Sequence, residues 1–121
     1  MRLRALRGAI TVERNESDAI LEATDELVRA VMERNSLEAG DLVSCVFTCT
    51  GDLDAEFPAV AARGLGLSAV PLICAQEIDV PGALPRVIRL MVHCYASDGS
   101  SLQHVYLREA AGLRRDLEGA Q

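Results

Sequence analysis

Two stretches of this chain read as sheet strands with a cation set inside them. Residues 3–12 run LRALRGAITV and residues 87–92 run VIRLMV, so Arg7 and Arg89 stand among aliphatic and β-branched neighbours. A guanidinium keeps its charge at any ordinary pH, so its stem must reach solvent or an anion must lie beside it. Neither strand can therefore be sealed on both faces. Strand alternation puts Val87, Arg89, Met91 and His93 on one face and Ile88, Leu90, Val92 and Cys94 on the other. On the residues alone, Arg89 is either half of a structural ion pair, with Glu77 as the obvious partner, or a cation held ready for a bound carboxylate. Glu77 falls just past a strand end, where solvated charges and active-site loops both occur.

The remaining pattern predicts one α+β domain over residues 1–121. A strand at 2–12 is followed by a long amphipathic helix in which Ile20, Leu21, Thr24, Leu27, Val28, Val31 and Met32 recur at helical spacing, with Ser17 as its expected N-cap. Further strands are expected at 42–49, at 69–74 with Pro71 marking an edge, at 86–96 and at 104–113. A short helix begins near Pro58 and ends at Gly64 and Gly66. Both helices are expected on one face of a mixed sheet, with a loose polar tail from about residue 115.

Charge and reactive residues narrow the function. The formal net charge is -6, which opposes binding to nucleic acid or to an anionic membrane. All twelve basic residues are arginine, so Schiff-base chemistry and lysine-based phosphate loops are excluded. No signal peptide or membrane span is legible, and a cytoplasmic location is expected. Cys45, Cys49, Cys74 and Cys94 lack paired metal-ligand spacing, and Cys45 and Cys49 share strand parity with Phe47, as core thiols do. His93 and His104 are read as structural, and no metal site is expected.

Taken in order, the segments Arg7-Gly8-Ala9-Ile10-Thr11-Val12-Glu13, Phe57-Pro58-Ala59 with Arg63, Val70-Pro71 leading to Cys74-Ala75-Gln76-Glu77-Ile78-Asp79-Val80, Ile88-Arg89-Leu90-Met91 and His104-Val105-Tyr106-Leu107 resemble the monofunctional chorismate mutases of the trimeric pseudo-α/β-barrel class. The match runs from residue 2 to Asp116. It implies a homotrimer with active sites between subunits, rearranging chorismate to prephenate in aromatic amino acid biosynthesis (the shikimate pathway) without a cofactor. By motif position, Arg89 would face the ether oxygen of the breaking bond, Glu77 the ring side, and Arg7 and Tyr106 the side-chain carboxylate. Cys74 would approach the ring hydroxyl. Phe57, Ala59, Leu72 and Ile73 would form the wall, and Arg63 and Arg114 the mouth, with Val60 and Leu113 also in the substrate-binding set.

The chain departs from that pattern in places. Val60 stands where many members carry a lysine, Ile73 replaces a small polar residue, and Pro81-Gly82-Ala83 varies a turn. These changes bear on substrate affinity more than on reaction type. Two rivals stay open at this level: an imine or enamine deaminase on a similar trimer, which needs a positioned water, and a trimer that binds its ligand without turning it over.

Overall fold

The computed structural model describes residues 1–113. Five strands, β1 (Arg2–Thr11), β2 (Leu42–Cys49), β3 (Leu72–Gln76), β4 (Val87–Ala96) and β5 (Val105–Leu107), form one mixed sheet in the order β3-β2-β4-β1-β5. The central β4 pairs antiparallel with β1 and with β2. The edge strands β5 and β3 add on in parallel. Helix α1 (Ser17–Arg34) and the short α2 (Ala59–Ala62), which continues into a wider turn at Arg63–Leu67, both pack on one side.

Strand alternation decides which side that is. Leu6 and Ile10 of β1, Cys45 and Phe47 of β2, and Ile88, Leu90, Val92 and Cys94 of β4 meet Ile20, Ala23, Leu27, Val28 and Val31 of α1 in one buried cluster. With so few aromatic residues, this aliphatic face supplies most of the burial, at roughly 1.5–3 kcal/mol for each large side chain removed from water. The helix approaches β1 so closely that a Cβ on Gly8 would sit 3.0 Å from Leu27 Cδ1 and 3.3 Å from the Val105 carbonyl oxygen. Thr24 faces the same cluster, and its hydroxyl donates to the Ile20 carbonyl at 2.7 Å, so its burial leaves no polar group unmet.

On the opposite face neither α1 nor α2 packs; among the described residues the 3-10 segment Arg108–Gly112 covers one edge of it, through Ala110 against Ala9 and Val87. There Arg7, Val46, Thr48, Arg89 and Met91 line a hollow, while Leu3, Ile73 and Tyr95 are exposed. The two arginines thus stand on the open face, and the aliphatic residues beside them point the other way.

Three local expectations need correction. Glu16, in extended conformation, holds the cap position of α1, and Ser17 is its first helical residue; the Ser17 hydroxyl bonds Glu56 at 3.1 Å. The third strand starts at Leu72, because Pro71 has no amide to donate and offers its carbonyl to Cys45 N–H at 3.0 Å. As Pro71 foretold, this strand is an edge. The last strand stops at Leu107: Arg108 adopts φ 54°, turns the chain into a 3-10 segment (Arg108–Gly112), and donates to the Thr11 carbonyl and to Glu26.

The segment that leads into β5 is held from the helix side by Asn35. Its amide nitrogen donates to the carbonyls of Val31 and Gln103, each at 2.9 Å, and its oxygen accepts from Gln103 N–H at 2.6 Å. Asn35 therefore pairs with both main-chain groups of Gln103, as a neighbouring strand would.

Candidate active site

Register brings the sequence candidates together. Ala9 of β1 lies opposite Arg89 on one side and Tyr106 on the other, and Arg7 lies opposite Met91. Because Ala9 is small, the larger side chains around it enclose a cavity of about 270 Å³ lined by Arg7, Thr48, Arg89, Met91 and Tyr106 among others. Beside it, Tyr106 and Leu113 pack against a small buried cluster of Ala9, Val87 and Ala110.

Glu77 completes the group from the end of β3. Its N–H donates to the Cys49 carbonyl at 2.9 Å, carrying the β3–β2 pairing one residue further. Its carboxylate accepts from Arg89 Nε at 3.0 and 3.1 Å and from the Thr48 hydroxyl at 2.6 Å. Arg89 thus has the carboxylate partner that its strand setting calls for. Only Nε is engaged: among the described residues, no hydrogen bond takes up its two terminal nitrogens. Nor, among the described residues, does any carboxylate pair with Arg7, which is exposed. The cavity therefore presents uncommitted guanidinium donors in a strongly acidic protein, which suits a small anionic ligand.

The lining holds no histidine, cysteine or lysine. What it can do is hold carboxylates and meet negative charge with fixed donors.

His104 supports this arrangement from one step away. Its Nδ1 accepts the Arg7 N–H at 2.9 Å, just ahead of the β1–β5 pairing that begins at Gly8 and Val105. Accepting there requires the neutral ring. Burial, and then the positive charge of Arg7, lower its pKa from the ordinary 6.5. The folded protein thus binds a proton less readily than the unfolded chain does. The stabilisation is whole above pH 6.5 and is lost as pH falls below that value toward the lower native one. Replacing His104→Asn, which keeps an acceptor that does not titrate, should flatten the decline in melting temperature below that pH. Parallel melting curves for the two proteins from neutral to acid pH would disprove the assignment.

Other candidates lie elsewhere in the chain. Phe57 and Cys74 line a second hollow of about 360 Å³ beside Asp54 and Glu56. Cys74 pairs with Phe47 and turns toward the helices, away from Arg89. Of the residues expected to form the wall, Ala59 is buried in the core and Leu72 packs against it, whereas Phe57 and Ile73 are 65% and 61% exposed. Val60 is half-buried and Arg63 exposed on α2 and its continuation. Arg114 lies outside the described residues. The core thiols behave as expected, with burial pushing Cys45 up to about 11. Thr48 was not among the sequence candidates; its parity is legible, but its position opposite Arg89 needs the β2–β4 register.

A model of the family described as chorismate mutase type I matches residues 3–117. The chain belongs to that family. Every candidate from Arg7 to Arg114 lies within the span matched to the chorismate mutases. The chain is 47% identical over 121 residues to "Chorismate mutase AroH" of Thermus thermophilus, covering 98% of this chain and 99% of the relative. It is 40% identical over 119 residues to the protein of the same name from Bacillus subtilis, covering 97% and 94%. A solved structure described as chorismate mutase from Clostridium thermocellum superposes with a TM-score of 0.86 at 46% identity, covering 89% of this chain and 97% of that one. Among the described residues, no helix is long and apolar enough to cross a membrane.

Proposed function

We propose that this protein is a chorismate mutase that rearranges chorismate to prephenate by fixed electrostatics alone. The observation that carries the mechanism is the half-spent Arg89: Glu77 holds its Nε, among the described residues no hydrogen bond takes up its terminal nitrogens, and the side chain lines the cavity. In an intramolecular Claisen rearrangement one carbon–oxygen bond breaks as a carbon–carbon bond forms, and no proton moves. Negative charge gathers on the ether oxygen in the transition state, and positive character on the ring. A permanent cation aimed at that oxygen stabilises the transition state more than the ground state, which is the condition for raising kcat.

In this reading Arg89 meets the ether oxygen and Glu77 the ring side. Arg7 and Tyr106 hold the side-chain carboxylate and favour the compact conformer in which the reacting carbons meet. Cys74 lies on the other side of β3 from this cavity, so it joins the ring hydroxyl only if a different chain's surface completes the site. Phe57, Ile73 and Arg63 likewise reach no part of their own chain's cavity. Their exposure, with that of Leu3 and Tyr95 on the sheet face away from α1, supports a homotrimer in which a neighbouring subunit's Phe57, Ile73, Val60 and Arg63 close the cleft. Arg114, outside the described residues, is assigned to the mouth by motif position alone. The substrate is chorismate, no cofactor takes part, and the enzyme acts in the cytoplasm.

The test is direct. Purified protein mixed with chorismate should speed the loss of the substrate's diene absorbance by several orders of magnitude over buffer. A folded trimer that bound chorismate without turning it over would refute the proposal.

A further inference from the structure

Thr48 holds a place for which the chemistry so far gives no reason. It stands opposite Arg89 in the β2–β4 register, lines the same cavity, and donates its hydroxyl to Glu77 Oε2 at 2.6 Å. That is a short, charge-assisted bond. Glu77 meanwhile sets both oxygens on one Arg89 nitrogen, Nε, at 3.0 and 3.1 Å. A carboxylate beside a guanidinium fork ordinarily takes two nitrogens, one for each oxygen. Something keeps Glu77 from doing so. Its main chain is tied to Cys49, and its Oε2 is tied to Thr48.

We infer that Thr48 is a positioning residue for the reaction. Its hydroxyl pins the Glu77 carboxylate on Nε and so keeps the terminal nitrogens of Arg89 open to the substrate. The inference rests on the chorismate mutase reading of this cavity. Without the hydroxyl, Glu77 is free to slide along the guanidinium and pair with a terminal nitrogen. The donor meant for the ether oxygen is then spent inside the protein. The loss falls on the transition state, where that donor is needed, and little on ground-state binding, which other groups supply.

The test compares Thr48→Val, Thr48→Ser and the wild type on chorismate. Valine suits a strand and matches threonine in shape, so circular dichroism and melting should show a folded protein. Thr48→Val should lose about tenfold or more in kcat, the scale of a hydrogen bond to a charged group, with KM within about threefold. Thr48→Ser, which keeps the hydroxyl, should stay within about threefold of wild type in both constants. Wild-type kcat in Thr48→Val, a change confined to KM, or a serine variant as slow as the valine one would each overturn the inference while leaving the mutase reading intact. A wild-type protein that leaves chorismate unchanged would overturn both.

Discussion

Arg89→Ala should cut kcat by about 10²–10³, a loss on the order of 3–4 kcal/mol in transition-state stabilisation. The size follows from what the side chain does in the proposed site. Among the described residues no hydrogen bond takes up its two terminal nitrogens, and Glu77 already fixes the guanidinium through Nε, so the donors are in place before the reaction begins. Preorganisation of this kind costs nothing at the moment charge develops. Arg7→Ala should behave differently. Arg7 grips a carboxylate present throughout the reaction, so its loss should raise KM as well as lower kcat. Steady-state kinetics on chorismate separates the two cases. An Arg89→Ala enzyme whose KM rises while kcat stays within a few-fold would make Arg89 a binding residue and break the mechanism.

The largest effect on stability is expected at Asn35. Asn35→Ala removes three hydrogen bonds at a buried position and strands both main-chain groups of Gln103. At roughly 1 kcal/mol net for each bond, the cost is about 3 kcal/mol, or about 10 °C in melting temperature for a domain of this size. The consequence reaches the site. Gln103 precedes His104, which accepts the Arg7 N–H, and Tyr106 follows in β5. Scanning calorimetry at equal protein concentration measures the shift. A drop of less than about 2 °C would show that the clamp carries little of the fold.

Much of this arrangement is legible in the sequence. The alternation in residues 87–94 placed Arg89 and Met91 on one face and the core aliphatics on the other, and the sheet keeps that division. The 3.6-residue pattern of α1 likewise marked the buried stripe. Both signals are local: a side chain's face follows from its own neighbours. Non-local features were not legible. The N-cap of α1 went to Glu16, because a neighbouring loop draws the Ser17 hydroxyl to Glu56. The final strand ended early because Arg108 anchors to Thr11 and Glu26, far away in sequence. Thr48 carries no signal in the sequence, because a threonine in a strand is ordinary until its cross-strand partner is known. For Arg89 the residues leave two readings open, an ion pair with Glu77 or a cation for a bound carboxylate, and the structure shows the ion pair made through Nε.

The claim beneath all of this is that fixed charge does the work and no proton is transferred. Its most direct test is kcat for chorismate measured across neutral to mildly alkaline pH, above the range where His104 takes up a proton, in ordinary and heavy water. The account predicts a flat profile and a solvent isotope effect close to ~1, because arginine does not titrate there and no O–H or N–H bond breaks in the rate-limiting step. A bell-shaped profile centred near neutrality, together with an isotope effect of about 2 or more, would mean general acid–base catalysis and would contradict it.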